Sequence, residues 1–427
     1  MSDITTSPFH AGEQYIQRKL GVRDDMERFG RQVIRDYLPQ EHRDFYQQLP
    51  YVLAGHADSQ GWPWASMLFN QSSLMVSTQP EVLSINAKPV PGDPLLRSLN
   101  EGLKLGLLGI ELETRRRNRI SAHINTVSET GFSLGIDQAF GNCPQYIQPR
   151  RLRWLDEAPS AEQSIDRISA FDAEALTLVA SSDTFFVASS LGHDEHQASD
   201  GADVSHRGGE AGFIRIDDEQ TLTIPDYSGN LHFNTLGNFI ENPKAGLLFV
   251  DFETGHLLTM TGTVEILWEP ADIDDFVGAQ RLWTFRIDHG YWLKNVLPMR
   301  WDKKTHTKLV RPAILDKPAA AVQVTTDTGT ESVAHEAMVS FVDSSLEHKW
   351  SDDEDGTLLE FAEEHGLSPA FGCRSGSCGV CKVGLLSGNI VYEKAVSAAV
   401  GDGEVLICCA VPASDEQSKK TKLELKL

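Results

Sequence analysis

The chain has 427 residues, 61 acidic and 38 basic, for a formal net charge of −23. Such a surface repels nucleic acid and anionic lipid, which argues against both as partners. Five of the six cysteines lie in the last sixth of the chain and only Cys143 stands elsewhere, so no disulfide framework is expected.

The opening residues, Met-Ser-Asp-Ile-Thr-Thr-Ser-Pro, carry no basic segment followed by an apolar one. No apolar run approaches the ~18 residues of a membrane span. A cytoplasmic protein of two or three domains is expected from these features and from length. Helical spacing of Met26, Phe29, Val33 and Ile34 predicts a helix from Asp25 to Gln47. Short apolar segments then follow, separated by Gly, Asn and Asp: 51–55, 64–69, 73–77 and 106–112. A second series follows at 185–190, 212–216, 221–224, 245–252 and 257–266. These intervals suit all-β barrels, and the recurrence predicts two barrels in tandem, an internal pseudo-dimer.

Arg311 to Ser332 reads as a linker. Beyond it, 337–343 and 346–350 read as a strand pair. Residues 356–365 read as a helix closed by Gly366, and Asp352 to Asp355 form an acidic turn. The expected organisation is a helix plus first barrel in 1–160, a second barrel in 161–310, a linker in 311–332 and a last domain in 333–427. The fold class is mainly β with some α.

Cys373, Cys378 and Cys381 are spaced C-x4-C-x2-C, and Cys408 follows 27 positions later. This is the ligand spacing of plant-type [2Fe–2S] clusters. Zinc sites use C-x2-C pairs set apart from a second pair, whereas the second group here is the adjacent pair Cys408-Cys409. Ser375, Gly376, Ser377 and Gly379 keep the loop small, so backbone N–H groups can approach the sulfides. Spacing alone leaves Cys408 and Cys409 both open as the fourth ligand.

Residues 358–367, 371–381 and 405–412 resemble the C-terminal ferredoxin module of flavoprotein reductases, which implies a β-grasp fold and favours Cys408 over Cys409. Residues 203–216, 224–230, 234–249 and 260–266 resemble the pyridoxamine 5′-phosphate oxidase family of flavin-binding split barrels. Arg116 to Ala122 and Asn142 to Gln148 echo that family in the first series, where Cys143 reads as a buried strand-end residue. The resemblance implies FMN, with Arg215 on the 212–216 strand, Asn234, Thr235 and Asn238 in a turn, and Ser205 and Arg207 close by. His232 and Gly237 stand where relatives often carry Arg, while Arg115, Arg116, Arg117 and Arg119 can supply charge from the first barrel.

No dinucleotide-binding G-x-G-x-x-G turn occurs. The expected protein is therefore an FMN and [2Fe–2S] oxidoreductase that works with a separate redox partner, a reductase or an oxygenase. Two alternatives are a non-catalytic [2Fe–2S] carrier with a degenerate barrel, and a haem-degrading split barrel using His193, His196, His206 or His232.

Overall fold

The structure is a computed structural model. It describes residues 6–427 except 143–144, 158–162, 192–198, 200, 305–335, 352–354, 368, 372–375, 377–378, 393–395, 397 and 414–420. The chain divides into two compact units, Met1–Thr307 and Lys308–Leu427. The linker expected at 311–332, and Cys143, Cys373 and Cys378, lie outside the described residues.

Three helices open the first unit: α1 (Ala11–Lys19), α2 (Arg23–Val33) and α3 (Gln40–Gln48). α1 starts at a reciprocal cap, with the His10 ring accepting from Gly12 N and Glu13 accepting from His10 N. The single helix expected over 25–47 is broken. Ile34 turns extended, Arg35 bridges to Ala139, and Pro39 stands at the start of α3, where it need donate no hydrogen bond.

The first sheet comprises β1 (Tyr51–Ala57), β2 (Pro63–Phe69), β3 (Met75–Gln79), β4 (Val82–Ile85), β5 (Lys104–Glu111), β6 (Arg116–Val127) and β7 (Phe132–Asn142), with the short α4 (Leu95–Ser98) before β5. β8 (Arg150–Trp154), β9 (Ser164–Ile168) and α5 (Ala173–Ser181) lead to the second sheet. That sheet contains β10 (Thr184–Ser190), β11 (Ala202–Gly208), β12 (Arg215–Ile216) and β13 (Thr221–Tyr227). After α6 (Asn234–Glu241) it continues with β14 (Lys244–Val250), β15 (Leu257–Leu267) and β16 (Ala279–Lys294). β17 (Met299–Lys303) pairs with β8, and β9 pairs with β16.

The two sheets share one strand order. The first runs β2-β1-β5-β6-β7-β4-β3 and the second β11-β10-β14-β15-β16-β13-β12. Two details depart from expectation. The strand at 212–216 shrinks to Arg215–Ile216, because Gly212 turns the chain at φ +84°. Residues 234–238, expected as a turn, are the first part of α6.

Each sheet has its own apolar interior, and a third cluster fills the seam. There Leu53, Met67 and Leu108 of the first sheet meet Phe186, Val204 and Leu248 of the second. Full burial of each such side chain contributes about 1.5–3 kcal/mol. Glycines set how closely the sheets approach. A Cβ on Gly106 would stand 2.6 Å from Ala202 O, and one on Gly246 would stand 2.4 Å from Pro63 O. Gly106 and Gly246 occupy matching positions on β5 and β14, and their neighbours lie on matching strands, β11 and β2. The contact is reciprocal.

In the second unit β18 (Glu336–Phe341), β19 (Leu346–Ser351), β20 (Lys382–Ser387), β22 (Glu404–Leu406) and β24 (Thr421–Lys426) form a sheet ordered β19-β18-β24-β20-β22. β18 and β24 are parallel, and β21 (Ile390–Tyr392) pairs separately with β23 (Ala410–Pro412). α7 (Leu358–Glu364) begins at a capping box of Thr357 and Glu360 and buries Leu358, Leu359 and Phe361. Among the described residues no helix is long and apolar enough to cross a membrane.

Candidate functional site: a seam pocket and a cysteine loop

Alternation along β11 sends Asp203, Ser205 and Arg207 to one face. Arg119, opposite Leu108 on the first sheet, reaches across the seam to meet them. Its guanidinium lies 3.0 Å from Asp203 Oδ1, donates to Asn234 Oδ1 at 2.8 Å and also donates to Ser205 Oγ. Ser205 Oγ and Thr235 Oγ1 are 2.7 Å apart. Arg207 pairs with Asp226 at 2.5 Å, and the second oxygen of Asp226 takes Arg281 at 2.7 Å. Arg117 stands beside them in the wall of the same recess.

Among the described residues, the Nε atoms of Arg119 and Arg207 are buried without a hydrogen-bond partner. A buried unmatched donor costs about 1–3 kcal/mol, and donors of this kind suit an anion that would take them. The rim carries backbone strain. Tyr146, Leu231 and Phe233 all hold φ between +61° and +64°, a conformation that costs non-glycine residues energy and clusters at ligand sites. Tyr146 stacks on Tyr227 with ring centroids 5.1 Å apart.

α1 borders a smaller adjoining recess, which His10 and Glu13 line with Arg119 and Asn234. A Cβ on Gly12 would stand 2.1 Å from Gly237 O, so α1 packs against α6 at backbone distance. Glu13, accepting from His10 N and Asn234 Nδ2, is buried beside Arg119 and Asp203. Burial pushes its carboxyl up to about 8, with the His10 hydrogen bond opposing and Asp203 reinforcing the rise. The folded state therefore holds this proton more tightly than the unfolded chain. The stability Glu13 contributes is complete below its ordinary value of 4.5 and is lost as pH rises towards about 8. Chemical denaturation across that window should show wild type losing up to ~1.4 kcal/mol per pH unit relative to Glu13→Gln. Parallel curves would refute the assignment.

The other sequence-selected residues separate. Arg215 lies outside the pocket, on the surface between Asp217 and Asp272 at 2.7 and 2.6 Å. Asn238 donates to Ser189 Oγ at 2.9 Å and lines an adjoining smaller recess with Glu13 and Arg119. His232 is 1% exposed and packed among the rings of Phe9, Phe29 and Phe140, where burial holds it down at about 3. Burial, reinforced by Arg117, also holds His206 well below its ordinary value. His193 and His196 lie outside the described residues.

In the second unit the pairing of Lys382 with Leu406 brings Cys381 and Cys408 to adjacent strand ends, where both are buried. Cys409 is buried as well, with its Sγ 3.6 Å from that of Cys408. Gly376 and Gly379 hold φ of +71° and +74°. A Cβ on Gly376 would stand 3.2 Å from Cys409 Sγ, so Gly376 packs closely on that sulfur. Cys381 and Cys408, the two of the four spaced cysteines that lie among the described residues, offer the sulfur donors that iron takes.

A family model described as 2Fe-2S iron-sulfur cluster binding domain matches residues 341–413. An uncharacterised ferredoxin-like protein of Haemophilus influenzae is 34% identical over 59 residues, which are 14% of this chain and 72% of that protein. The chain belongs to the 2Fe-2S ferredoxin family through this unit. The ferredoxin unit also resembles the reductase component of phenol 2-monooxygenase from Pseudomonas sp., at 40% identity over 68 residues, 14% of this chain and only 19% of that one. A second model, pyridoxamine 5′-phosphate oxidase, matches residues 171–288, from α5 into β16. A solved protein of the pyridoxinephosphate oxidase family from Clostridium acetobutylicum is 16% identical, covering 30% of this chain and 92% of that one with a TM-score of 0.21. A ferredoxin domain is an electron-transfer module. The same chain also carries the region that the pyridoxamine 5′-phosphate oxidase model matches.

Proposed function

We propose that the first unit is a tandem pair of split barrels, divided near residue 160, that holds FMN in the seam pocket. Residues 311–332 would tether it to the ferredoxin unit of 333–427, through which electrons pass to or from a separate redox protein. The shared strand order and the reciprocal glycine contacts support the pseudo-dimer reading.

The observation that carries the proposal is Arg119. It comes from one sheet, is buried against Ser205, Asn234 and Asp203 of the other half, and still has an unmatched N–H. In this reading Arg119, Arg207 and Arg117 neutralise the phosphate, while Ser205, Thr235 and Asn234 orient it by hydrogen bonds. Arg215 and Asn238 take structural roles. When bound, FMN supplies two-electron chemistry that a one-electron cluster cannot. Cys373, Cys378, Cys381 and Cys408 are the proposed iron ligands. Asp203 and Asp226 keep the pocket's cations paired until the anion arrives, which limits the cost of burying them.

That same pairing favours a second reading. A pocket whose guanidiniums already face carboxylates can be a closed, degenerate site, leaving the chain a pure electron carrier. The absorption spectrum of purified protein separates the two. Flavin bands beside cluster bands uphold the proposal, and cluster bands alone uphold the carrier.

The ferredoxin unit resembles reductase components of oxygenase systems, and the chain carries an acidic run at Asp352 to Asp355 with no dinucleotide-binding turn. A basic partner steered by charge is the corresponding expectation. Anaerobic mixing with NADH or NADPH should leave the cluster oxidised over seconds, and adding a ferredoxin reductase should bleach it, less readily at high salt. Rapid bleaching by pyridine nucleotide alone would make the chain a self-contained reductase.

A further inference from the structure

A chain of side-chain hydrogen bonds joins the opening helix to the seam pocket. Glu13 Oε1 accepts from Asn234 Nδ2, which leaves Asn234 Oδ1 to accept from Arg119 at 2.8 Å. Glu13 thereby fixes which way the Asn234 amide faces. Its other oxygen accepts from His10 N at 2.9 Å, so the carboxyl is held from both sides. Gln17, one turn further along α1, donates from Nε2 to Leu231 O and His232 O, each at 3.4 Å. Leu231 and Phe233 are left-handed residues of the pocket rim, and α6 begins at Asn234. α1 therefore holds both the strained turn and the residue that meets Arg119.

Charge ties the two sites together as well. Arg119 lies 3.0 Å from Asp203, and Arg119, Asp203 and Glu13 line one small recess. With Glu13 neutral these three groups sum to no net charge. Ionised, they sum to one negative charge before any phosphate arrives. The other groups around Glu13 do little to offset that. His10 Nε2 stands 3.6 Å from Glu13 Oε2, Glu241 of α6 flanks Gly12, and β6 and β7 add the uncharged Ser121 and Gln138. Arg119 is the one guanidinium among these described residues, and a carboxylate beside it competes with a dianion for the same cation.

We propose that Glu13 is a positioning residue for the flavin phosphate, acting through Asn234 and Arg119, and that the phosphate and a proton on Glu13 bind cooperatively. This rests on the FMN reading of the seam pocket. Coupling of two binding events is reciprocal, so FMN affinity must fall as Glu13 loses its proton. Burial lifts that carboxyl to about 8, which sets the fall above neutral pH. The phosphate is already dianionic there, its second proton leaving near pH ~6, and the guanidiniums stay charged.

Flavin fluorescence titration of the full chain, freed of bound flavin, tests this with circular dichroism checking the fold at each pH. Wild type should bind FMN about fivefold or more weakly at about pH 9 than at about pH 7, whereas Glu13→Gln should bind equally at both. Calorimetry between these pH values, in two buffers of different ionisation heat, should show proton uptake with FMN by wild type. Glu13→Gln should show none, and a merely structural role would not produce the uptake. Equal pH profiles in the two proteins, or FMN binding to wild type without proton uptake, would overturn the coupling while leaving the pocket as the flavin site. FMN that does not bind, or that Arg119→Ala binds undiminished, would overturn the seam-pocket reading and this proposal with it.

Discussion

Cys408→Ser removes the visible spectrum of the cluster, and Cys409→Ser leaves it in place. A serine oxygen is a hard donor that replaces a soft thiolate poorly on iron, so loss of one ligand is expected to lose or strongly shift the cluster. Cys373→Ser, Cys378→Ser and Cys381→Ser should behave like Cys408→Ser. The adjacent pair is a demanding case because both sulfurs are buried and lie 3.6 Å apart. Cys409 Sγ packs beneath Gly376, a place for a small apolar group as much as for a ligand. Iron content together with absorbance distinguishes ligand loss from unfolding. Cluster loss in Cys409→Ser with retention in Cys408→Ser would reverse the assignment.

Arg119→Ala weakens FMN binding by about 10–100-fold and destabilises the first unit by about 3–5 kcal/mol. The first figure follows from the ~1.5–3 kcal/mol of hydrogen bonds to a charged group. The second reflects breaking a buried pair and leaving Asp203 behind without its cation. Arg119→Lys should recover part of the stability but little of the affinity, because an ammonium restores charge without the planar fork. Flavin fluorescence titration and chemical denaturation separate the two effects. A folded Arg119→Ala protein with undiminished FMN affinity would remove the seam pocket as the flavin site.

Much of this was legible in the sequence where chemistry is local. The cysteine spacing and the small residues between them required no tertiary information, and the two strand series followed from apolar runs punctuated by glycine and asparagine. Tertiary choices were not legible. Four arginines at 115–119 were all candidates to supply charge across the seam, and strand register selects Arg117, opposite Ile110, and Arg119, opposite Leu108. Arg215 was a candidate phosphate ligand because the split-barrel resemblance sets such a residue on the 212–216 strand. The turn at Gly212 shortens that strand, and Asp217, two positions on, was the overlooked sign of a surface ion pair. α1 was missed although His10 and Glu13 stand at capping-box spacing, since histidine is an unusual cap and the apolar content of the helix is low. For residues 234–238 the family resemblance implies a turn, and burial of Leu236 and Phe239 decides for helix.

The reciprocal glycine contact also bears on how the molecule behaves on dilution. When two identical chains meet through such a face, the assembled site exists only above their dissociation constant, and thermal stability depends on protein concentration. Here both halves of the face belong to one polypeptide, and pairing is an intramolecular event at high effective concentration. The Arg119 crossing should therefore persist at nanomolar protein, and the melting temperature of the first unit should not change over orders of magnitude of concentration.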